Sequence, residues 1–202
     1  MKQSKKILIA NRGVIAIRAL RAARELGYSV ASVYSTIDRD QKHLKLSDEA
    51  ICIGPPETKD SYLNEAAIIS AAELSGADAI YPGFGFLAEN ASFAEKCRES
   101  GFKFIGPDPE VIAIMGDKIK AKELAKSLNI PVVPGYEGEV STENEAIKIV
   151  EEIGYPVIIK ASAGGGGRGM RVVNSSDELW QSIQSAKNEA ELAFGDGKIF
   201  IE

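Results

Sequence analysis

The sequence predicts an α/β fold in which a mostly parallel sheet precedes a small α+β unit. Short apolar runs alternate with helical segments over residues 5–105, which is the pattern of successive βαβ units. Pro131 and Pro134 then interrupt the chain and mark a boundary. Beyond them, residues 156–173 combine two apolar runs with a glycine-rich turn, which indicates a hairpin.

The first layer, over residues 1 to about 110, is predicted to be a Rossmann-like doubly wound sheet. Apolar runs predict strands over 5–11, 29–34, 49–53, 77–81 and 102–105, and helical spacing predicts helices over 14–26, 62–74 and 91–98. Gly27 and Gly76 are typical stops for two of these helices. The first strand-to-helix turn, Asn11-Arg12-Gly13, has one glycine where a dinucleotide-binding turn has three, which argues against a nicotinamide dehydrogenase.

The second unit is predicted to place two helices on an antiparallel sheet. Asp117 is a candidate N-cap for an amphipathic helix over 117–128. Thr142 and Glu145 predict a capping box for a helix that reaches residue 153. Ser175 and Glu178 predict the start of another helix, which reaches about residue 194, and a final strand is predicted over 198–202.

The stretch PVIIKASAGGGGRGMRVV over residues 156–173 is the main candidate for a binding site. Its glycines have no Cβ, so successive backbone N–H groups can close over phosphate oxygens, and Lys160 can add a positive charge. No Lys-Ser/Thr pair follows the glycines, so the stretch is not a Walker loop, and the strand-like MRVV places no helix N-terminus behind the turn. The hairpin therefore predicts a nucleotide-binding lid, with a flexible surface hairpin as the alternative.

Composition and charge restrict the class of protein. The formal net charge is −5, which argues against a general nucleic-acid or membrane-surface binder. Cys52 and Cys97 form no spaced motif and are expected to be buried, in a protein of a reducing compartment. The single histidine, His43, is expected at the surface or in packing, and no His/Cys cluster indicates a transition-metal site. No apolar run reaches transmembrane length, and the expected location is the cytoplasm.

Seven motifs occur in one order along the chain. They are ILIANRG at 7–13, KHLKLSDEA at 42–50, SYLN at 61–64, YPGFGFLAEN at 81–90, FIGP at 104–107, MGDK at 115–118 and IGYPVIIKASAGGGGRGMRVV at 153–173. Together they resemble the biotin carboxylase component of the biotin-dependent carboxylases, a branch of the ATP-grasp superfamily. The resemblance implies a pre-ATP-grasp domain over 1–115, a helix and linker over 116–139, and a small ATP-grasp lid subdomain over 140–202, with the catalytic C-terminal half absent.

The resemblance also implies an activity and its cofactors. The family uses MgATP and bicarbonate to carboxylate biotin on a carrier protein, through carboxyphosphate. The implied partners are a biotin carboxyl carrier protein or domain, a carboxyltransferase subunit and a second copy in a homodimer, with no nucleic acid and no membrane. The acids that bind Mg²⁺, the bicarbonate-binding arginine and the general base are expected in the absent half, so these 202 residues are expected to be inactive alone.

The resemblance implies an ATP site by motif position. Lys118 and Lys160 match two phosphate-binding lysines, Ile158 and Met170 match the walls of the adenine slot, and Glu202 matches the start of the hinge that recognises the adenine amine. The implied ATP-binding residues are Lys118, Ile158, Lys160, Gly164, Gly165, Gly166, Gly167, Gly169, Met170 and Glu202. No catalytic residue and no metal ligand is implied in this portion of the family's chain.

Two further pairs of residues match functional positions of the family. Phe84 and Glu89 lie in the motif that is near the biotin site. Arg21 and Glu25 match residues of a twofold dimer interface, where a self-complementary pair suits an isologous contact. Because they are four residues apart on one predicted helix, they could instead pair with each other.

Three positions depart from the family pattern. Val14 stands where a glutamate usually follows Asn-Arg-Gly, Tyr81 where histidine is usual, and Phe84 where tyrosine is usual, which removes a hydroxyl near the biotin site. The alternative function is a non-catalytic two-domain ATP-grasp-like module for binding or assembly. The presence of Lys118, Lys160 and the glycine loop favours the carboxylase.

Overall fold

The computed structural model describes residues 5–136, 138, 140–161, 170–195 and 197–202. The chain divides into two compact units, Met1–Gly116 and Asp117–Glu202. Across the described ranges, every helix is too short or too polar to cross a membrane. The glycine-rich turn over 162–169 lies outside the described residues. The further division of the second unit into a linker helix and a lid stays a prediction.

The first unit is built on a five-stranded parallel sheet, as predicted. Its strands are β1 (Lys6–Ile9), β2 (Ser29–Ser35), β3 (Glu49–Gly54), β4 (Ala79–Tyr81) and β5 (Lys103–Phe104), in the spatial order β3-β2-β1-β4-β5. Its helices are α1 (Gly13–Glu25), α2 (Lys42–Leu46), α3 (Glu65–Ser75), α4 (Ala91–Glu99) and α5 (Pro109–Gly116). Strand order reverses between β1 and β4, which is where ligands bind in open sheets of this kind.

Both faces of this sheet are covered because neighbouring strand residues point in opposite directions. Leu8 is fully buried in a cluster with Ile68 of α3 and Phe93 of α4. Ile9, the next residue of β1, is fully buried in a second cluster with Leu20 of α1. A strand buried on both faces carries a continuous apolar run, which is why KILI could be identified in the sequence.

The second unit has a three-stranded antiparallel sheet. Its strands are β6 (Val157–Ala161), β7 (Arg171–Val173) and β8 (Ile199–Ile201), in the order β7-β6-β8, and its helices are α6 (Lys118–Ser127), α7 (Glu143–Ile153) and α8 (Ser176–Phe194). Val150 of α7 and Ile183 of α8 are fully buried in one cluster with Ile159 of β6 and Ile201 of β8. The predicted arrangement of helices on an antiparallel sheet is confirmed.

One helix start and one helix cap differ from the predictions. The helix predicted from residue 62 begins at Glu65, because the Asn64 side chain accepts a hydrogen bond from the Ala67 backbone N–H and caps α3 there. Ser175 makes no side-chain cap; the carboxylate of Glu178 instead accepts from the Asn174 backbone N–H. The short helix α2 and the helix α5 were not predicted.

The caps at Asp117 and Thr142 are confirmed. Asp117 Oδ1 accepts from the backbone N–H groups of Ile119 and Lys120, and Thr142 Oγ1 accepts from that of Glu145. The carboxylate of Glu145 accepts a hydrogen bond from the backbone N–H of Ser141 rather than from that of Thr142. The second bond of the predicted capping box is therefore made to the residue before the N-cap.

The expected burial of both cysteines is wrong for one of them. Cys97 of α4 is buried, and burial raises the pKa of its thiol to about 12. Cys52 of β3 is exposed, because alternation along this edge strand turns its side chain outward. His43 is a packing residue: it is fully buried, and its Nε2 lies 3.4 Å from the Val33 carbonyl oxygen.

Candidate functional site

Strands β6 and β8 bring charged and aromatic side chains together in the second unit. Lys160 lies opposite Phe200, and Ile158 exchanges two backbone hydrogen bonds with Glu202, at 2.6 and 3.0 Å. Residues two apart on a strand share a face, so Phe200 and Glu202 lie on the same side. Lys160 reaches that side too, because its Nζ donates to Glu202 Oε2 at 2.5 Å.

Helix α6 adds two more lysines, which are four residues apart and therefore share one face of the helix. Lys122 Nζ donates to Glu202 Oε1 at 3.1 Å, so two lysines hold the two oxygens of one carboxylate. Lys118 Nζ lies 5.9 Å from the centre of the Phe200 ring, and Lys160 Nζ lies 5.6 Å from it. These side chains and Ile119 line a cavity of about 180 Å³. We refer to Lys118, Lys122, Lys160, Phe200 and Glu202 as the lysine cluster.

The lysine cluster combines positive charge with a buried aromatic ring. Lys118 and Lys160 lie near the ring of Phe200, which is buried. Lys122 and Lys160 hold the two oxygens of the Glu202 carboxylate. Burial alone raises the pKa of Glu202, but hydrogen bonds and charge from Lys160 and Lys122 outweigh it and hold that pKa below its ordinary value. The carboxylate is therefore ionised at neutral pH.

The same cluster does not fit a Mg²⁺ ion. Hard cations take several oxygen ligands, and the one carboxylate here is already held by Lys122 and Lys160. Among the residues that the structure describes, no group of three or more His, Cys, Asp or Glu side chains could hold a metal ion.

The predicted ATP-binding residues are placed as follows. Lys118, Lys160 and Glu202 come together in the lysine cluster. Ile158 is half-buried on β6, and Met170, directly before β7, is 47 % exposed. The predicted glycines Gly164, Gly165, Gly166, Gly167 and Gly169 lie outside the described residues.

Two members of the lysine cluster were missed by sequence reasoning. Lys122 could have been found from its spacing, because it follows Lys118 by four residues on a predicted helix. Phe200 could have been found from alternation, because it precedes Glu202 by two residues on a predicted strand. The signal was present in both cases, but neither pattern by itself distinguishes a binding residue from a packed or solvated one.

A second polar network lies in the first unit, after the carboxyl ends of β1 and β2. Asp38 is 5 % exposed and accepts hydrogen bonds from Tyr62 Oη at 2.7 Å, Ser35 Oγ at 3.0 Å and an Arg12 guanidinium nitrogen at 3.1 Å. Burial alone raises the pKa of Asp38, but these hydrogen bonds outweigh burial and lower it below its ordinary value. Burial, followed by the bond to Asp38, raises the pKa of Tyr62 to about 12.

The remaining predicted residues are all at the surface. Phe84 and Glu89 are exposed in the segment between β4 and α4, close to the end of the sheet where the strand order reverses. Arg21 and Glu25 are exposed one turn apart on α1. The roles of these two pairs stay predictions.

Comparison with known protein families assigns both units. Residues 3–112 match the family described as biotin carboxylase, N-terminal domain. Residues 117–202 match the family described as carbamoyl-phosphate synthase L chain, ATP binding domain. The second unit, with its lysine cluster, is thus of the ATP-grasp type of ATP-binding domain. The chain as a whole belongs to the biotin carboxylase family.

Individual relatives agree with this assignment. The biotin carboxylase of Haemophilus influenzae is 56 % identical over 198 residues, which cover 98 % of this chain and 44 % of that protein. The crystal structure of a biotin carboxylase–β,γ-ATP complex from Campylobacter jejuni has a TM-score of 0.89 at 52 % identity and covers 98 % of this chain and 44 % of that one. The chain therefore spans less than half the length of these relatives.

A third relative carries ligands and a partner. The biotin carboxylase domain dimer of the Hydrogenobacter thermophilus 2-oxoglutarate carboxylase, solved with MgADP, ADP and bicarbonate, has a TM-score of 0.86 at 48 % identity. The match covers 100 % of this chain and 44 % of that one. The fold predicted from the sequence is thus the fold of solved biotin carboxylases.

Proposed function

We propose that this chain is the N-terminal and ATP-lid portion of a biotin carboxylase, which uses MgATP and bicarbonate to carboxylate biotin on a carrier protein through carboxyphosphate. The observation that carries the proposal is the lysine cluster, in which Lys118 and Lys160 flank Phe200 in the matched ATP-binding domain. Family membership supports this chemistry, as do one relative solved as a β,γ-ATP complex and another solved with MgADP, ADP and bicarbonate.

In this proposal, the lysines bind the phosphates of ATP by exchanging partners. Lys160 leaves Glu202 and turns to a phosphate oxygen, which carries more negative charge than one carboxylate. Lys122 stays on Glu202 Oε1, so the carboxylate is not left buried without a counter-charge. Lys118 adds a second phosphate contact from α6. The exchange costs little because one ion pair is replaced by another. The same lysines would stabilise the negative charge that develops on the transferred phosphoryl group.

The chain by itself is proposed to bind nucleotide weakly and to carry out no carboxylation. Its described residues do not fit Mg²⁺, and phosphoryl transfer depends on charge stabilisation by that ion. We further propose that the whole protein forms a homodimer through Arg21 and Glu25 and works with a carboxyl carrier and a carboxyltransferase in the cytoplasm. A relative whose biotin carboxylase domain was solved as a dimer supports the proposed homodimer.

The role of the lysine cluster is tested by ATP binding to the full-length natural protein. Lys160→Ala is expected to weaken ATP binding about tenfold or more, because it removes a charge-assisted hydrogen bond. Lys148→Ala is the matched control, since Lys148 is an exposed lysine of α7 and its removal changes the net charge equally. Equal affinities of the two variants would refute the assignment of Lys160.

Activity is tested by ATP-dependent fixation of labelled bicarbonate onto free biotin. The full-length protein is expected to be active, and the 202-residue chain is expected to be inactive under the same conditions. Carboxylation by the purified 202-residue chain would contradict the proposal that it is only a portion of the active enzyme.

A non-catalytic binding or assembly module built on the same two units is the second candidate function. The intact mass of the protein from its native source separates the two. A mass near twice 21.7 kDa or larger supports the carboxylase, whereas a native mass of 21.7 kDa favours the module.

A further inference from the structure

The loop that follows β4 has an unusual backbone. Gly83 and Gly85 have φ angles of +73° and +72°, and Phe86 has a φ of +44°. Glycine adopts such angles freely, but Phe86 does so at a cost, so contacts with the rest of the unit must hold it there. Phe84, between the two glycines, is 76 % exposed. The loop thus presents one aromatic side chain outward from a constrained backbone.

The side chain of Asn11, two residues after the end of β1, is hydrogen-bonded to this loop. Its Nδ2 donates to the carbonyl oxygens of Pro82 at 2.7 Å and Phe84 at 2.9 Å, and its Oδ1 accepts from the Arg12 backbone N–H at 2.8 Å. Asn11 is 1 % exposed, and both amide hydrogens and the oxygen of its side chain form hydrogen bonds. Because the two carbonyl groups lie on either side of Gly83, one amide fixes the backbone at both points.

Space around the loop is as restricted as its hydrogen bonding. A Cβ atom on Gly83 would lie 2.7 Å from Cγ2 of Ile15 and 3.0 Å from the Asn11 amide nitrogen. The loop therefore packs directly against the start of α1 and against Asn11. A shift of the Asn11 side chain would be transmitted to the carbonyl group of Phe84 itself.

The other side of the loop is held by an aromatic stack. The Phe86 ring lies on the Tyr62 ring, with centroids 4.9 Å apart and planes 11° from parallel. The Arg12 guanidinium lies 5.3 Å from the Tyr62 centroid and 5.6 Å from that of Phe86, and Asp38 holds it there. This stack fixes the far end of the loop, which leaves Asn11 to fix the near end, next to Phe84.

We propose that Asn11 is a positioning residue of the biotin subsite, which sets the direction of Phe84 by holding the carbonyl groups of Pro82 and Phe84. The inference rests on the proposed function and on the resemblance to the family, which implies that Phe84 lies near biotin. Loss of the amide would leave two carbonyl groups without their donor, and the loop would shift to recover hydrogen bonds. Displacement of a contact residue by about 1 Å is enough to reduce productive substrate binding severely.

The test uses steady-state kinetics of the full-length natural protein with free biotin. Asn11→Ala is expected to raise the KM for biotin by about 10- to 100-fold, with the KM for MgATP changed less than about twofold. Asn11→Ser keeps one donor, so its KM for biotin is expected to lie between those of the natural protein and Asn11→Ala. The serine variant also tests the proposal if the alanine variant folds poorly. Asn64→Ala is the matched control: Asn64 caps α3, so its loss lowers stability without moving the loop.

A double-substitution cycle tests whether Asn11 acts through Phe84. If it does, the variant with both Asn11→Ala and Phe84→Ala has the same KM for biotin as Phe84→Ala alone. If the two effects multiply, Asn11 does not act through Phe84 and the proposal is overturned.

The outcomes separate the proposal from the function on which it rests. A full-length natural protein without ATP-dependent carboxylation of biotin overturns the proposed function, and the positioning role falls with it. An active protein in which Asn11→Ala leaves the KM for biotin unchanged, or changes it no more than Asn64→Ala does, overturns the positioning role alone.

Discussion

Replacement of Gly83 by alanine is expected to destabilise the first unit more than the same replacement at Gly85. Both glycines have the same left-handed backbone, with φ angles of +73° and +72°. They differ in the space that a Cβ would enter, because one at Gly83 approaches Ile15 and Asn11 at 2.7 and 3.0 Å, whereas one at Gly85 meets nothing within 4 Å. Gly85→Ala is therefore a control that carries the backbone cost without the steric cost.

The magnitudes follow from these two terms. An L-residue in the left-handed region costs about 1–2 kcal/mol, which applies at both positions. Forcing an extra carbon against well-packed neighbours adds about 1–3 kcal/mol at Gly83. Asn11 cannot move aside cheaply, because it is buried and makes the hydrogen bonds that hold the loop. We therefore expect losses of about 2–5 kcal/mol for Gly83→Ala and about 1–2 kcal/mol for Gly85→Ala.

Native-state hydrogen exchange measures these losses within the first unit. The backbone N–H groups of Ala10 and Ile105 donate to the carbonyl oxygens of Tyr81 and Ile80, so their exchange reports opening of the sheet around β4. The free energy of opening at both amides is expected to fall further for the substitution at Gly83 than for the one at Gly85. Equal losses would refute the reasoning, because they would mean that the neighbours of Gly83 adjust at no cost.

Two further predictions concern the two polar clusters. Tyr62→Phe is expected to lower the free energy of unfolding by about 1.5–3 kcal/mol at neutral pH, because it removes a buried hydrogen bond to the charged Asp38. The pKa of Tyr62 is raised to about 12 in the folded protein, so this stabilisation is complete below pH 10 and is lost as the pH rises towards 12. Urea unfolding followed by circular dichroism should therefore show the difference in unfolding free energy between the two proteins shrinking over that range. A constant difference would contradict the prediction. Glu202→Gln is expected to destabilise the second unit by about 1.5–3 kcal/mol, because it leaves Lys160 beside other cations without its carboxylate. The fluorescence of Trp180, which packs against the core of that unit, measures this change, and an unchanged midpoint in low salt would show that the ion pairs contribute nothing.

Most of the regular structure could be predicted because its signals are local. The parallel strands are apolar runs that are buried on both faces, and the antiparallel second unit follows from its hairpin and its caps. The errors also have local causes. The Asn64 cap places the start of α3 at Glu65, three residues after the predicted start, and the five-residue helix α2 is too short to show a helical period.

The candidate sites could be predicted only in part. Lys118, Lys160 and Glu202 were identified by motif position, and the structure brings them together. Lys122 and Phe200 were missed, although their spacing from those residues is regular. Spacing states which residues share a face of one element, but not which element lies opposite, so neither residue could be assigned to the cluster from the sequence.

The sequence by itself determined the order of the strands, the parallel character of the first sheet and the antiparallel pairing of β6 with β7, because each depends on patterns within a few tens of residues. Only the tertiary structure decided which side chains meet. The carboxylate of Glu202 is held by Lys122 from 80 residues earlier, and Asn11 holds carbonyl groups 71 and 73 residues later. Such contacts arise when packed elements exclude water and leave polar groups to satisfy one another, which no local pattern specifies.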